Sequence, residues 1–302
     1  MKDRLKEIIE VLKENNITHG INPVKVCKIL EELGPTFIKI GQILSTRVDL
    51  LPEEYTNELS KLRSNASKLD FSVIENILNT EYKDYNKHFS YVNKRALGSA
   101  SIAQVHKAKL KDGTEVILKI KRPNVEEKLS SDIMLLKRAV NVLHLNNIIK
   151  VIDLNEALDE LYTVTKEEIN FNVEVSHLKK FYENNKNVEY LHVPKVYEEL
   201  CTKNIIVMEY IDGDKINNIS ELSEKGYNLS DIAKKLSENY IKQALDDGFF
   251  HADPHPDNIL ISNSKIVFID LGMMGTLTNK SKNVLKKCIK DIIFKDYYEV
   301  SR

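Results

Sequence analysis

The sequence has no tryptophan, only three cysteines, ten glycines and seven prolines in 302 residues, and no charge of one sign in excess. Cys27, Cys201 and Cys288 are odd in number and far apart, with no CxxC pair, so neither a disulfide framework nor a zinc site is expected. With 44 basic and 45 acidic residues the net charge is -1, which gives no general attraction to nucleic acid or to acidic lipid. No nucleic-acid partner is expected. Nowhere do about twenty apolar residues run together, so no segment reads as a membrane-spanning helix. The start, MKDRLKEIIEVLKENN, is charged throughout and lacks the apolar core of a signal peptide. These absences together point to a cytoplasmic protein in a reducing compartment, with room in its length for two domains or one bilobal one.

What is present is concentrated between Phe249 and Gly272, FFHADPHPDNILISNSKIVFIDLG. Asp253 and Asn258 stand five apart in H-x-D-x-x-x-x-N, and Asp270 follows a short apolar run and precedes Leu271-Gly272. That is the order of a kinase site: loop Asp, loop Asn, metal Asp. Asn258 and Asp270 would hold a magnesium ion as hard oxygen ligands, and Asp253 would orient or deprotonate the acceptor. Ile259–Ile261 and Ile266–Ile269 read as two strands joined by the turn-rich Ser262-Asn263-Ser264-Lys265, a hairpin that would bring Asn258 beside Asp270. The plainer alternative is a polar surface loop followed by a hairpin.

Residues 1 to about 80 carry a helical pattern. Leu5, Ile8, Ile9 and Leu12 share one face, Pro23 opens a second helix ending near Gly34, and PTFIKIGQILSTRV reads as a third. Lys39 and Gln42 stand three apart on that third helix, with Arg47 roughly on the same side; by helix geometry alone Lys39 reads as a solvated lysine. From His88 the period changes to strand, small-residue loop (Gly98, Ser99, Ala100, Ser101) and strand. Small side chains let backbone N–H groups approach phosphate oxygens, and they also make ordinary tight turns. After the turn at Lys111–Thr114, the strand 115–121 places Val116 and Leu118 on one face and Ile117, Lys119 and Lys121 on the other. Lys119 reads as the phosphate-pairing lysine of kinases or as an edge-strand lysine. One helix is expected from about Asn124 to Leu145, and a longer one, capped by Asp153, through roughly Tyr182. It would carry Glu167, Glu168 and an inward Glu174, whose natural partner is Lys119. The strand 204–211 leads to Asp212-Gly213, where a kinase hinge would offer the backbone of Glu209 and Ile211 to adenine. Residues 216–226 and 229–248 are expected to be helical, and the tail after Thr276 a basic, solvated helix.

Taken together, FIKIGQILSTR, SASIAQVHKAKL, VILKIKRPNV, EEINFNVEV, HADPHPDNIL and FIDLG resemble the UbiB (AarF, ADCK) family of atypical protein-kinase-like proteins. The resemblance implies an α+β, bilobal protein-kinase-like fold with an N-terminal helical extension carrying the KxGQ motif (1–87), an N-lobe with inserted helices (88–211) and a partial, truncated C-lobe (212–302). It implies ATP and Mg2+ as cofactors, with Lys119 paired to Glu174 and the phosphates. By resemblance Lys39 becomes functional, because the KxGQ helix folds over the cleft where a peptide would sit and an acidic ExD pair restrains that lysine. It further implies a lipid or isoprenoid quinone precursor as partner, a link to ubiquinone biosynthesis, and attachment at the inner face of the membrane through a region absent from this chain.

The sequence departs from the pattern twice. The ExD reads Glu168-Ile169-Asn170, which weakens the expected grip on Lys39, and the alanine-rich loop begins with Gly98, which would let it close more tightly on phosphates. Two other readings stay open: a small-molecule phosphotransferase of the aminoglycoside or choline kinase kind, for which His255 would suit the acceptor, and a nucleotide-binding regulator without turnover.

Overall fold

The computed structural model describes residues 2–16, 20–45, 48, 51–63, 68–142 and 153–293. Arg47 and the far end of the helix expected to reach Leu145 lie outside them. The chain forms two compact units, residues 1–171 with 199–207 and residues 172–198 with 208–302. The three-part division at 87 and 211 follows motifs instead and is kept as a proposal about lobes.

The first unit begins with five helices, α1 (Lys2–Glu14), α2 (Pro23–Leu33), α3 (Pro35–Leu44), α4 (Glu53–Leu59) and α5 (Phe71–Tyr82). Their limits follow from local chemistry. The Asn22 side chain accepts from Lys25 N–H at the start of α2, Pro23 occupies the first turn, and Gly34, at a φ of 92°, closes the helix and opens α3. The buried face of α1 is rotated from the one expected: Ile8, Val11 and Leu12 pack on Ile29, Leu33 and Phe37, while Leu5 and Ile9 are exposed. Arg4 takes the inward place and is 6 % exposed. Its guanidinium donates to Asp132 (Nε to Oδ1, 2.6 Å; Nη2 to Oδ2, 3.0 Å) and to the Leu33 carbonyl. Asp132 lies in α6 (Val125–Val142) and is fully buried, so one ion pair fastens α1, the end of α2 and α6 together.

The sheet of this unit runs β1 (Phe89–Val92), β3 (Ala103–Leu110), β4 (Glu115–Lys121) and the first residues of β6 (Ile205–Glu209), with β2 (Gly98–Ser99) paired to β3. Strand β4 alternates as expected: Val116, Leu118 and Ile120 are fully buried, and Ile117, Lys119 and Lys121 are half-buried. Burying each of these three side chains contributes on the order of 2 kcal/mol. A second correction concerns the long helix expected from Asp153 to Tyr182. Asp153 does cap it, but α7 (Leu154–Ile169) stops at Asn170, whose ψ of 92° is not helical, and α8 (Phe171–Asn185) starts afresh. The amide that replaces the expected aspartate is the helix terminator.

The second unit contains α8 from Asn172 onward and a sheet ordered β5 (Leu191–His192), β10 (Lys265–Phe268), β9 (Ile259–Ser262), β7 (Asp214–Lys215). After β7 a turn at Ile216–Asn218 replaces the first residues of the helix expected from Ile216, which begins only at Ile219 as the short α9 (Ile219–Glu224). Asn263 and Ser264 have φ of 48° and 62°, the left-handed pair of a tight two-residue hairpin turn, and they join β9 to β10 in register with Ile259 opposite Phe268. Helix α10 (Leu229–Lys242) runs into a π-helical turn, Gln243–Asp247, which ends at left-handed Gly248 before β8 (Phe249–His251) pairs with β11 (Met274–Thr276). The last helix, α11 (Asn279–Ile293), rests on this turn through Lys282 and Lys286, which reach Asp246. It is basic, with Lys280, Lys282, Lys286, Lys287 and Lys290, and none of its described side chains is buried, as expected of a solvated helix; Val284 and Ile292 are more than half exposed.

Candidate functional site

In the second unit the hairpin does what its sequence promised. The Ile269 N–H donates to the Asn258 carbonyl at 3.0 Å, which sets Asn258 across from Ile269 and one residue from Asp270. The Asp270 Oδ1 accepts from Gly272 N–H at 2.9 Å, curling the Asp-Leu-Gly segment around its own carboxylate. A methyl group added at Gly272 would stand 3.2 Å from Asp270 Oδ1 and 3.7 Å from Glu174 Oε2, so both carboxylates lie close to the same glycine. Glu174 projects from α8 and is 2 % exposed. The His177 ring, one turn further along α8, is hydrogen-bonded to the Leu271 carbonyl at 3.0 Å and anchors the helix to this segment.

Asp253 is exposed and follows the buried His251. The Asp253 N–H donates to His251 Nδ1, and burial holds the imidazole pKa down, against the opposing pull of Asp270 and Asp253. The strand bearing His251 is fixed by a row of buried amides. Asn239 Nδ2 donates to Asn185 Oδ1 at 3.0 Å, Gln243 Nε2 to Asn239 Oδ1 at 2.6 Å, and the His251 N–H to Gln243 Oε1 at 2.9 Å. These three amide residues are at most 2 % exposed, where a polar group without partners would be destabilising. The π-turn aims Gln243 at His251. His255, offered as an acceptor-side base, caps its own turn instead by accepting from Asp257 N–H. Glu209 accepts from Lys195 N–H and lies 2.9 Å from His192, and Ile211 follows in the irregular stretch that leads to β7. Among the described residues no group of three or more His, Cys, Asp or Glu is gathered to hold a metal alone. A divalent cation at Asn258 and Asp270 would need further oxygens, which nucleotide phosphates supply.

In the first unit Lys39 is not a solvated lysine. Its Nζ donates to Glu168 Oε2 at 2.8 Å, with the two side chains only 15 % and 29 % exposed. Glu168 lies in the last turn of α7, two residues before the Asn170 break. Gln42, expected beside Lys39, donates instead to the Leu62 carbonyl. Lys119 projects from β4 with its Nζ 5.9 Å from the centre of the Phe171 ring, which Lys121 shares. Of the small-residue loop expected at 98–101, Gly98 and Ser99 form β2, paired to Val105 and Gln104, and only Ala100 and Ser101 fall in the turn to β3; a methyl group at Gly98 would meet nothing within 4 Å.

Sequence reasoning passed over several groups here. Gln104 and His106 face the buried side of β3 at 1 % and 0 % exposure. The Gln104 amide brackets Leu69, accepting from its N–H and donating to its carbonyl, and it also meets His106 Nε2 at 2.9 Å. Since His106 Nδ1 lies 2.7 Å from the Asn93 carbonyl, Nδ1 carries the proton and Nε2 accepts. Burial lowers the His106 pKa. The signal was available: two polar residues on the inward phase of an alternating strand. No helix among the described residues is long and apolar enough to cross a membrane.

Residues 61–302 match the model of the ABC1 atypical kinase-like domain. A Clostridium pasteurianum protein described as uncharacterized, in the hydrogenase 1 5′ region, is 44 % identical over 97 % of this chain and 57 % of its own. A probable protein kinase UbiB of Shewanella woodyi is 35 % identical over 91 % of this chain and 51 % of its own. This chain thus spans about half the length of these curated relatives. Among solved structures, Rv3197 of Mycobacterium tuberculosis, in complex with erythromycin, superposes with a TM-score of 0.64 and 25 % identity over 99 % of this chain and 74 % of that one. The expected α+β, kinase-like fold and the UbiB resemblance both hold, and the chain belongs to the ABC1 atypical kinase-like family.

Proposed function

We propose that this chain binds ATP with Mg2+ and acts as an atypical kinase or ATPase. The observation that carries the reading is the hydrogen bond from Ile269 N–H to the Asn258 carbonyl, which brings the backbone of Asn258 to within one residue of Asp270 at the mouth of a hairpin. An amide oxygen and a carboxylate carried by such neighbouring residues would suit a magnesium ion that is shared with phosphates. Asp253, exposed on the loop just before, is the group assigned to the acceptor hydroxyl. Gly98–Ser101 and Lys119 of the first unit are assigned to phosphate contact, and the backbone of Glu209 and Ile211, which belong to the second, to adenine.

Lys39 is assigned a restraining role. The ion pair to Glu168 supports it, since the lysine is held on a defined helix and not dispersed into solvent. A lipid or isoprenoid quinone precursor as the target, placement at the inner face of a membrane and a part in ubiquinone biosynthesis follow from family analogy alone. The small-molecule phosphotransferase reading loses its acceptor-side base, because His255 is engaged in its own turn.

The test is titration of ATP with and without Mg2+ on the 302-residue chain and on Asp270→Asn. Magnesium-dependent binding that the substitution abolishes supports the assignment. Equal affinity in both proteins overturns it. Phosphate release with and without quinone-like lipids then separates turnover from regulatory binding.

A further inference from the structure

Arg122 is absorbed by none of the roles above, yet it meets the Gly98–Ser101 loop at two points. Its Nε donates to the Ala100 carbonyl at 2.8 Å and its Nη2 to the Ser99 hydroxyl at 2.7 Å. Its own N–H donates to the Ile102 carbonyl at 2.8 Å, so backbone and side chain of one residue grip Ser99, Ala100 and Ile102 on both sides of Ser101. From the other side, Ser99 Oγ stands 3.4 Å from Gln104 Oε1, the same oxygen that accepts from Leu69 N–H. The loop is therefore fastened to the end of β4 by a guanidinium and, through Gln104, to the segment leading into α5.

We infer that Arg122 is a positioning residue that holds the β2–β3 connection, with Gly98 and Ser99 in β2 and Ala100 and Ser101 in the turn, in the one shape that the phosphate-contact reading requires of it. The inference rests on the phosphate-site reading given above. Its physical content is preorganisation: a two-residue strand and a turn of small residues are easily distorted, and binding to a loosely ordered form would first have to restrict it. The planar fork of arginine suits the task because two parallel donors meet a hydroxyl and a carbonyl at once. Lysine carries the same charge but cannot reproduce that geometry. The half-buried position of Arg122 at the end of the strand also makes substitution there compatible with folding.

The experiment compares wild type, Arg122→Lys, Arg122→Ala and Ser99→Ala, alone and with Arg122→Ala, for MgATP affinity, melting temperature and amide hydrogen exchange over residues 98–103. Arg122→Ala is expected to weaken MgATP binding on the order of tenfold, about 1.4 kcal/mol. Exchange in the loop should quicken with the melting temperature unchanged, Arg122→Lys should fall between, and Ser99→Ala should add little once Arg122 is gone. Loop exchange and affinity equal to wild type in both Arg122 variants would overturn the inference. Should wild type bind no nucleotide, the phosphate-site reading has failed, and loop exchange still decides the strap on its own.

Discussion

Replacing Arg4 with methionine removes the counter-charge of Asp132 while keeping an unbranched apolar stem in its place. Asp132 is fully buried and receives two hydrogen bonds from that guanidinium, at 2.6 and 3.0 Å. Breaking one side of a buried, hydrogen-bonded pair costs about 3–5 kcal/mol, because the remaining charge keeps its desolvation penalty without compensation. For a unit of this size that corresponds to a fall in melting temperature of roughly 6–20 °C. The double variant Arg4→Met with Asp132→Leu removes both charges and should recover most of the loss, giving a large coupling energy in a double-mutant cycle. Urea and thermal unfolding followed by circular dichroism read both quantities. Arg4 also lies 5.8 Å from the Phe37 ring in α3, so faster hydrogen exchange around Lys39 is expected to accompany the single variant. A loss below about 1 kcal/mol in the single variant, or no recovery in the double, would refute the reasoning.

Four further outcomes are expected. Glu168→Gln and Lys39→Ala should each change stability by only about 0.5–1 kcal/mol, the scale of a partly exposed pair, while raising phosphoryl-transfer rate in a radiolabelled phosphate assay. Gly272→Ala places a methyl group 3.2 Å from Asp270 Oδ1 and should weaken Mg2+-dependent nucleotide binding, read by calorimetry; wild-type affinity would show that the Asp-Leu-Gly curl does not set the metal ligand. Gly98→Ala meets open space and should leave the melting temperature within the change expected for a surface substitution, about 0.5 kcal/mol, so a large loss would contradict the loop conformation. Burial depresses the pKa of His106 and, against Asp270 and Asp253, that of His251. Their folded-state pKa values thus lie below the unfolded value of about 6.5, so stability should be full above it and fall as pH drops below it. Urea midpoints between pH 7.5 and 5.5 check this, and His106→Gln should flatten the profile.

Much of the architecture was legible because it rests on short-range chemistry. Asn22-Pro23 and Gly34 delimit α2 through caps that sequence displays directly, and the Ile-Leu-Ile, Asn-Ser, Ile-Val-Phe pattern specifies a hairpin whose register then dictates where Asn258 and Asp270 fall. The alternation of β4 likewise placed Lys119 opposite Val116, Leu118 and Ile120. What escaped depends on partners distant in the chain. The phase of α1 could not be judged without Asp132, 128 residues away, which makes Arg4 an inward residue and leaves Leu5 exposed. The apolar stripe across residues 154–178 was continuous enough to suggest one helix, and periodicity alone does not register a backbone break at Asn170. The Lys39–Glu168 pair spans 129 positions; geometry along α3 alone favoured a solvated lysine, and it was the family resemblance that pointed to Glu168.

The π-turn at Gln243–Asp247 has a consequence for how this region can vary in length. Because one residue more than an α-helical turn is packed between Asn239 and Gly248, deleting a single residue there would restore regular winding and swing the following side chains by about 100°. Gln243 would then point away from His251, and the fixed count of residues from the Asn239 amide to the loop aspartate would be broken. Insertions can be absorbed at the exposed Asn217-Asn218, between β7 and α9, but the fifteen residues from Asn239 to Asp253 are a measured ruler with no slack.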